Sequence, residues 1–260
     1  MRMLTLLAAL WPLTALADAP ELTVTLGPAG AAEEMLLRST TDLTVLGPVV
    51  EEWLAVRGDL KVRYEQWGSN ALLDVMRADC ADPARAGADL VISSAAHHMV
   101  EVVNAGCARS HVSEATSALP DDLSWRDQLW GISREPAVIV YNRDLMDPAE
   151  VPRSRFDLLD LLRPDTSRFR GRVATYDIEE SGLGFLLAFA DSQEATTFGS
   201  LLEAFGRSDA VATCCSAELI DAVAEGEYLL AYNVLGSYAL LRAEDTPSIG
   251  IVAPRDYLLT

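Results

Sequence analysis

Three histidines, His97, His98 and His111, are the only imidazoles in this 260-residue chain, and they bound its chemistry. A Ser-His-Asp hydrolase needs one of them within hydrogen-bond reach of a nucleophile. His97 and His98 stand side by side near the start of one predicted helix, and His111 lies on a polar stretch without an evident partner. The elbow Gly-x-Ser-x-Gly is missing, because Glu180-Ser181-Gly182 lacks its first glycine. Glu179 and Glu180 are the residue types of a glycosidase pair, yet neighbours on one loop read as solvated acids rather than as carboxylates flanking a bond. Gly182-x-Gly184 lacks the later glycine of a dinucleotide fingerprint, and no Walker pattern occurs. There is no Cys-x-x-Cys and no His pair four residues apart, and adjacent histidines cannot chelate from one helix face. These residues point to a binding protein rather than an enzyme, with no cofactor and no metal site expected.

The residues suited to binding recur where predicted strands end. Apolar runs predict strands over residues 35–38, 62–67, 89–92, 137–141, 172–176, 228–233 and 249–253. Helical patterns cover 48–56, 71–78, 95–104, 155–162, 184–190, 194–205 and 217–224. Ser154, with Asp157 three residues on, is close to a capping box, and Gly226 is placed to stop the helix before it. Pro48 suits a first helical turn, which leaves 43–47 as a loop. Strands alternating with helices imply an α/β fold of βαβ units with mostly parallel sheets, and such sheets bind ligands beyond the carboxyl ends of their strands. The loops there carry Ser39, Thr40, Thr41 and Asp42; Gly68, Ser69 and Asn70; Ser93 and Ser94; Ser181 and Gly182; and Asn233 and Ser237. Any one of them reads equally well as an ordinary helix cap. Five in succession assemble hydroxyls, free N–H groups and positive helix ends, a set that suits an anion.

The whole-chain balance narrows the partners. With 39 acidic against 20 basic side chains the net charge is −19, which repels phosphate backbones and argues against nucleic acid. At 50% hydrophobic residues the chain buries an ordinary core, so disorder is excluded. Met1-Arg2-Met3, an apolar stretch over 4–16 and Ala15-Leu16-Ala17 have the layout of a secretory signal, predicted over residues 1–17 with cleavage after Ala17. A buried N-terminal helix is the alternative. The apolar stretch is short for a bilayer span, and no cysteine follows it to carry a lipid. Cleavage removes Arg2 and no acid, leaving −20 on an exported, non-spanning protein. Residues 18–33, rich in Gly, Ala and Pro, read as an irregular lead-in. In an oxidising compartment Cys80 and Cys107 are the expected pair, while the neighbours Cys214 and Cys215 are either bridged or two thiols on different faces.

Five stretches in order resemble the periplasmic solute-binding proteins of ABC importers, in the branch that includes ferric-iron, phosphorylated-sugar and phosphoglycerate binders. They are Leu-Arg-Ser-Thr-Thr-Asp at 37–42, Asp-Leu-Val-Ile-Ser-Ser-Ala at 89–95 and Arg-Glu-Pro-Ala-Val-Ile-Val-Tyr-Asn at 134–142. Ser-Gly-Leu-Gly at 181–184 and Leu-Ala-Tyr-Asn-Val-Leu-Gly-Ser-Tyr at 230–238 complete the set. The resemblance implies a two-lobed periplasmic-binding-protein-like fold that closes on its ligand by a hinge motion. Lobe 1 is expected over 34–135, lobe 2 over 136–247, and a strand returning toward lobe 1 over 248–260. Relatives continue past this point, so the chain reads as C-terminally shortened, whether a truncated reading frame or a short member, with lower stability or association through uncovered apolar surface. The implied ligand set is Ser39, Thr40, Thr41, Ser69, Ser94, Glu135, Ser181, Gly182, Tyr232, Asn233 and Ser237. Arg38 and Arg134 either add a charge-assisted bond or pair with surface acids. Ferric binders use adjacent tyrosines after the strand that ends here at Asn233. In this chain Tyr232 is followed by Asn233, and Tyr238 stands apart, so a small anionic organic solute, phosphorylated or carboxylated, is favoured over iron. The implied location is the periplasm. The implied partners are an inner-membrane ABC permease or the periplasmic domain of a sensor kinase, and an exported hydrolase is the remote alternative.

Overall fold

The computed structural model describes residues 19–164, 168–194 and 196–260, so the predicted signal segment lies outside the described residues. Four strands, β1 (Leu22–Leu26), β2 (Glu33–Ser39), β3 (Leu60–Gln66) and β4 (Leu90–Ile92), form a first sheet in the order β1-β3-β2-β4. Helices α1 (Leu43–Leu54), α2 (Ser69–Ala81) and α3 (Ala96–Asn104) follow β2, β3 and β4 in turn. A short helix α4 (Glu114–Ser117) and the hairpin β5 (Ser124–Trp125) to β6 (Leu129–Trp130) come next. Leu129 packs onto the cluster of Trp67, Leu72, Leu73, Met76 and Met99, which holds the hairpin against the first lobe.

The second sheet has the order β11-β7-β10-β8-β9, built from β7 (Ala137–Asn142), β8 (Val173–Tyr176), β9 (Val211–Thr213), β10 (Leu230–Leu235) and β11 (Ile249–Val252). Its helices are α5 (Arg155–Leu162), α6 (Gly182–Glu194), α7 (Phe198–Arg207), α8 (Ser216–Ala224) and α9 (Gly236–Asp245). All six residues of β10 are buried, because helices cover both faces of this sheet. Leu230 and Tyr232 enter one core with Ile139, Leu158 and Phe205, while Ala231 and Val234 enter the other with Val138, Leu219 and Ile220. An uninterrupted apolar run is the sequence consequence of such two-sided burial.

Several expectations need correction. The expected irregular lead-in contains a strand: over its described residues, 19–33, β1 pairs antiparallel with β3, its alternation of apolar and polar residues suiting an edge strand with one open face. The stretch 248–260 does not return to lobe 1; β11 lies antiparallel against β7, where Ile249 and Val252 are buried. Both sheets are mixed, with β1, β7 and β11 making the antiparallel pairings. Residues 43–47 belong to α1, since the Val45 and Leu46 N–H groups bond to the Asp42 carbonyl and carry the helix into Pro48, which forgoes a single backbone bond. Cys80 and Cys107 are bonded, tying the last turn of α2 to the end of α3 across 27 residues. A loop of that size restricts the unfolded chain by about 3–4 kcal/mol in the chain-entropy account. Cys214 and Cys215 are bonded to each other. Among the described residues no helix is long and apolar enough to cross a membrane.

Candidate functional site

The loops beyond β2, β3 and β4 are knit into one surface by their own backbones. Thr40 N–H donates to the Ile92 carbonyl and Trp67 N–H to the Ser39 carbonyl. Ser39 is fully buried, and its hydroxyl accepts the Thr41 N–H at 3.0 Å, so it shapes the turn rather than facing the cleft. The Thr41 carbonyl accepts from the Tyr64 hydroxyl. Thr40 Oγ1 accepts the Ser94 N–H at 3.1 Å and lies 3.4 Å from Ser94 Oγ and 3.5 Å from Ser93 Oγ. This gives a half-buried hydroxyl cluster at the start of α3.

The second lobe presents the segment entering α6 and the segment entering α9. Ser181 is buried and caps α6 by accepting the Gly184 N–H at 3.1 Å. Ser237 lies half-buried in the first turn of α9. Glu135 leads into β7 at the same edge, since Gly236 N–H donates to the Pro136 carbonyl, and its Oε2 is buried without a hydrogen-bond partner.

The two walls touch. Asp42 N–H donates to the Tyr238 hydroxyl at 2.8 Å, Gly182 N–H to Ser69 Oγ at 2.8 Å, and Asn70 Nδ2 to the Glu179 carbonyl at 2.7 Å. Helix α3 sends His98, 8% exposed, against Gly182, and His97 packs 5.5 Å from the Phe185 ring of α6. The Nδ1 atoms of both histidines are buried without partners. The molecule is therefore in a closed arrangement in which the first turns of α2 and α6 meet.

Besides Ser39, two more candidate ligand residues and both candidate cations lie elsewhere. Tyr232 and Asn233 turn into lobe 2, each donating to Asp191 Oδ2, at 2.6 and 2.7 Å. They reach it because the chain bulges between Ala231 and Val234, with Asn233 at φ 60°, a conformation asparagine tolerates. Arg38 is locked between Glu65 and Asp79 inside lobe 1, and Arg134 pairs with Asp122 at the surface. Neither of these two guanidiniums is offered to the cleft. His98, Asn70 and Tyr238 were legible only as members of a pair, a loop and a motif, because their roles depend on contact across the lobes.

Burial shifts the cleft groups. It pushes the Asp42 carboxyl up, with Glu21 adding to the effect and the Tyr238 hydroxyl opposing it. It pushes both imidazoles below the usual 6.5, with His98 depressing His97 further. For His98, a bond to the Ser69 backbone and the charges of Glu101 and Asp74 pull back up, and Arg77 pulls down. These imidazoles lie where α3 meets α6, so as bases held low they favour closure fully above about pH 6.5 and less as pH falls below that value, while the raised Asp42 carboxyl acts in the opposite sense as it takes up its proton. The radius of gyration in small-angle scattering should grow between pH 8 and pH 5; an unchanged radius would contradict this.

No protein-family profile matches the chain, and comparison with curated proteins finds no match. Solved structures do match. A substrate-binding protein of an ABC transporter from Agrobacterium tumefaciens is 29% identical, with a TM-score of 0.88 over 93% of this chain and 72% of its own. The periplasmic binding protein AfuA from Actinobacillus pleuropneumoniae, bound to exogenous fructose-6-phosphate, is 13% identical with a TM-score of 0.66 over 88% of this chain and 71% of its own. Iron-bound HitA from Pseudomonas aeruginosa is 16% identical with a TM-score of 0.65 over 84% and 69%. The chain has the two-lobed type II periplasmic binding fold of ABC-transporter substrate-binding proteins.

Proposed function

We propose that the protein is the substrate-binding component of an ABC importer, exported to the periplasm, where it closes on a small anionic organic solute and presents the closed form to a membrane permease. The observation that carries this reading is the meeting of two donor-rich walls: Thr40, Ser94 and Ser69 on one lobe, and the first turns of α6 and α9 on the other. N–H groups at helix starts and neutral hydroxyls bind phosphate and carboxylate without a counter-cation. The same reading gives Glu135 a role: its unpartnered carboxylate oxygen suits a hydroxyl or ammonium on the far end of the ligand. AfuA carries fructose-6-phosphate and HitA carries iron, and the residues here favour the first kind of cargo. Tyr232 spends its hydroxyl on Asp191, and Tyr238 accepts the Asp42 N–H, so neither is a free phenolate for a metal. Closure shifts an open–closed equilibrium by the ligand's extra contacts in the closed form.

Calorimetry and thermal shift with sugar phosphates, phosphoglycerate, carboxylates and ferric iron test the reading. An organic anion is expected to bind saturably, and Thr40→Ala with Ser94→Ala to weaken it roughly tenfold or more, about 1.4 kcal/mol or above. Saturable iron binding with no response to any organic anion would overturn it.

A further inference from the structure

Cys214 and Cys215 are bonded to each other where β9 ends and α8 begins, and Cys215 is the N-cap of α8. Because β9 and β10 both run parallel to β8, this point lies on the same edge of the sheet as the segments that enter α6 and α9. It is therefore on the lip of the cleft, and Glu218, one turn into α8, is close enough to Asp42 across the cleft to push its carboxyl up. Glu218 turns back toward the cysteines. Its Oε2 accepts from Thr213 Oγ1 at 2.7 Å and lies 3.9 Å from Cys214 Sγ, and the two sulfurs and a carboxylate oxygen all fall within 4.8 Å of one another. Zinc takes thiolates at about 2.3 Å and carboxylates at about 2.0–2.2 Å, so neighbouring ligand atoms of a tetrahedral site stand roughly 3.5–3.8 Å apart. The Cys214–Glu218 separation is already near that spacing, and the sulfurs need only part from bonding distance to reach it.

We propose that Cys214, Cys215 and Glu218 form a redox-gated site for a thiophilic divalent cation such as Zn2+. A dithiol reductant opens it: one of its thiolates attacks a sulfur of the pair, the Cys214–Cys215 bond breaks, and the reductant leaves as its own disulfide. Two electrons and two protons pass to the protein, giving two thiols, which release those protons to solvent as they bind the cation. The N-terminus of α8 favours the Cys215 thiolate and so favours both steps. Oxidised, the pair offers no thiolate and the site is closed to metal.

Cadmium, whose thiolate complexes absorb in the ultraviolet, is the probe. The full chain is titrated with Cd2+ as isolated and again after dithiothreitol treatment and anaerobic removal of the reductant. The variant Cys214→Ser with Cys215→Ser keeps the Cys80–Cys107 pair and supplies the blank for it. One ion per chain beyond this blank is expected in the reduced protein and none in the oxidised protein. Glu218→Gln, an exposed change, is expected to weaken the reduced site about tenfold or more. No uptake beyond the blank after reduction, or equal affinity in Glu218→Gln, would overturn the proposal. Each result is independent of which solute the cleft binds.

Discussion

Replacing Gly182 by alanine is expected to prevent closure of the lobes while leaving both of them folded. Gly182 opens α6, and its N–H crosses to Ser69. A Cβ built there would stand 3.0 Å from both ring nitrogens of His98 and overlap the ring between them. His98 is buried on α3 beside the Ser69 backbone, so either the ring or the lobe approach must give way to the methyl group. The backbone itself does not require glycine, since Gly182 is not among the glycines with positive φ, and alanine is the better helix former by about 0.8–1 kcal/mol in a helix interior. Stability and binding should thus part company. Melting should be unchanged or slightly raised, whereas solute affinity should fall on the order of 100-fold, about 3 kcal/mol, because a ligand gripped from both walls binds only in proportion to the closable population. Calorimetry and scattering read the two effects separately. Adding His98→Ala to Gly182→Ala should restore closure by vacating the space. Full affinity in Gly182→Ala alone would show that the ring is not what sets the lobe approach.

Removing Asp191 should produce the largest loss of stability. Asp191 is fully buried on α6, and four donors converge on its carboxylate. Arg155 Nε and the Tyr257 hydroxyl donate to Oδ1, each at 2.8 Å, and the Tyr232 hydroxyl and Asn233 Nδ2 donate to Oδ2. Arg155 is 3% exposed and stacks over the Tyr257 ring at 3.6 Å. Asp191→Ala leaves that guanidinium with Asp256, at 3.4 Å, as its remaining carboxylate, and breaking a buried pair costs about 3–5 kcal/mol, a large share of the roughly 5–15 kcal/mol that holds a domain together. Asp191→Asn should do little better, since its amide nitrogen would face donors on every side. Burial and the adjacent Asp191 charge push the Tyr232 hydroxyl well up, so it stays protonated and keeps donating. Urea unfolding followed by circular dichroism measures the loss; a change below about 1 kcal/mol would show the network to be peripheral.

The contrast between these residues shows what was readable beforehand. Strands buried on both faces announce themselves as apolar runs and half-buried ones by alternation, so β7, β8 and β10 on the first ground and β2 and β3 on their apolar positions were legible within a residue or two at their ends. The Ser, Thr and Gly clusters after them were legible as helix starts, and the structure does bring Thr40 beside Ser94 and Ser69 beside Gly182. Strand β1 was not, because it is a short edge strand of alternating apolar residues and threonines, and Gly27 and Pro28 follow it directly. Tyr232 and Asn233 were assigned to the cleft because they sit at the end of the right strand. A bulge redirects them to Asp191, more than forty positions earlier in the chain, and nothing local records that.

The amino-acid sequence by itself determined the α/β alternation, the donor-rich loops at the ends of the strands and the absence of catalytic motifs, because periodicity and capping act within a few residues. Only the tertiary structure decided which donors face one another, that Arg38 and Arg134 are engaged elsewhere, that Glu218 joins Cys214 and Cys215, and that His98 meets Gly182. The turn into α8 sets the Glu218 contact and packing within lobe 1 sets the Arg38 pairing, whereas the facing donors and the His98–Gly182 contact join segments far apart in the chain and are set by how the two lobes come together.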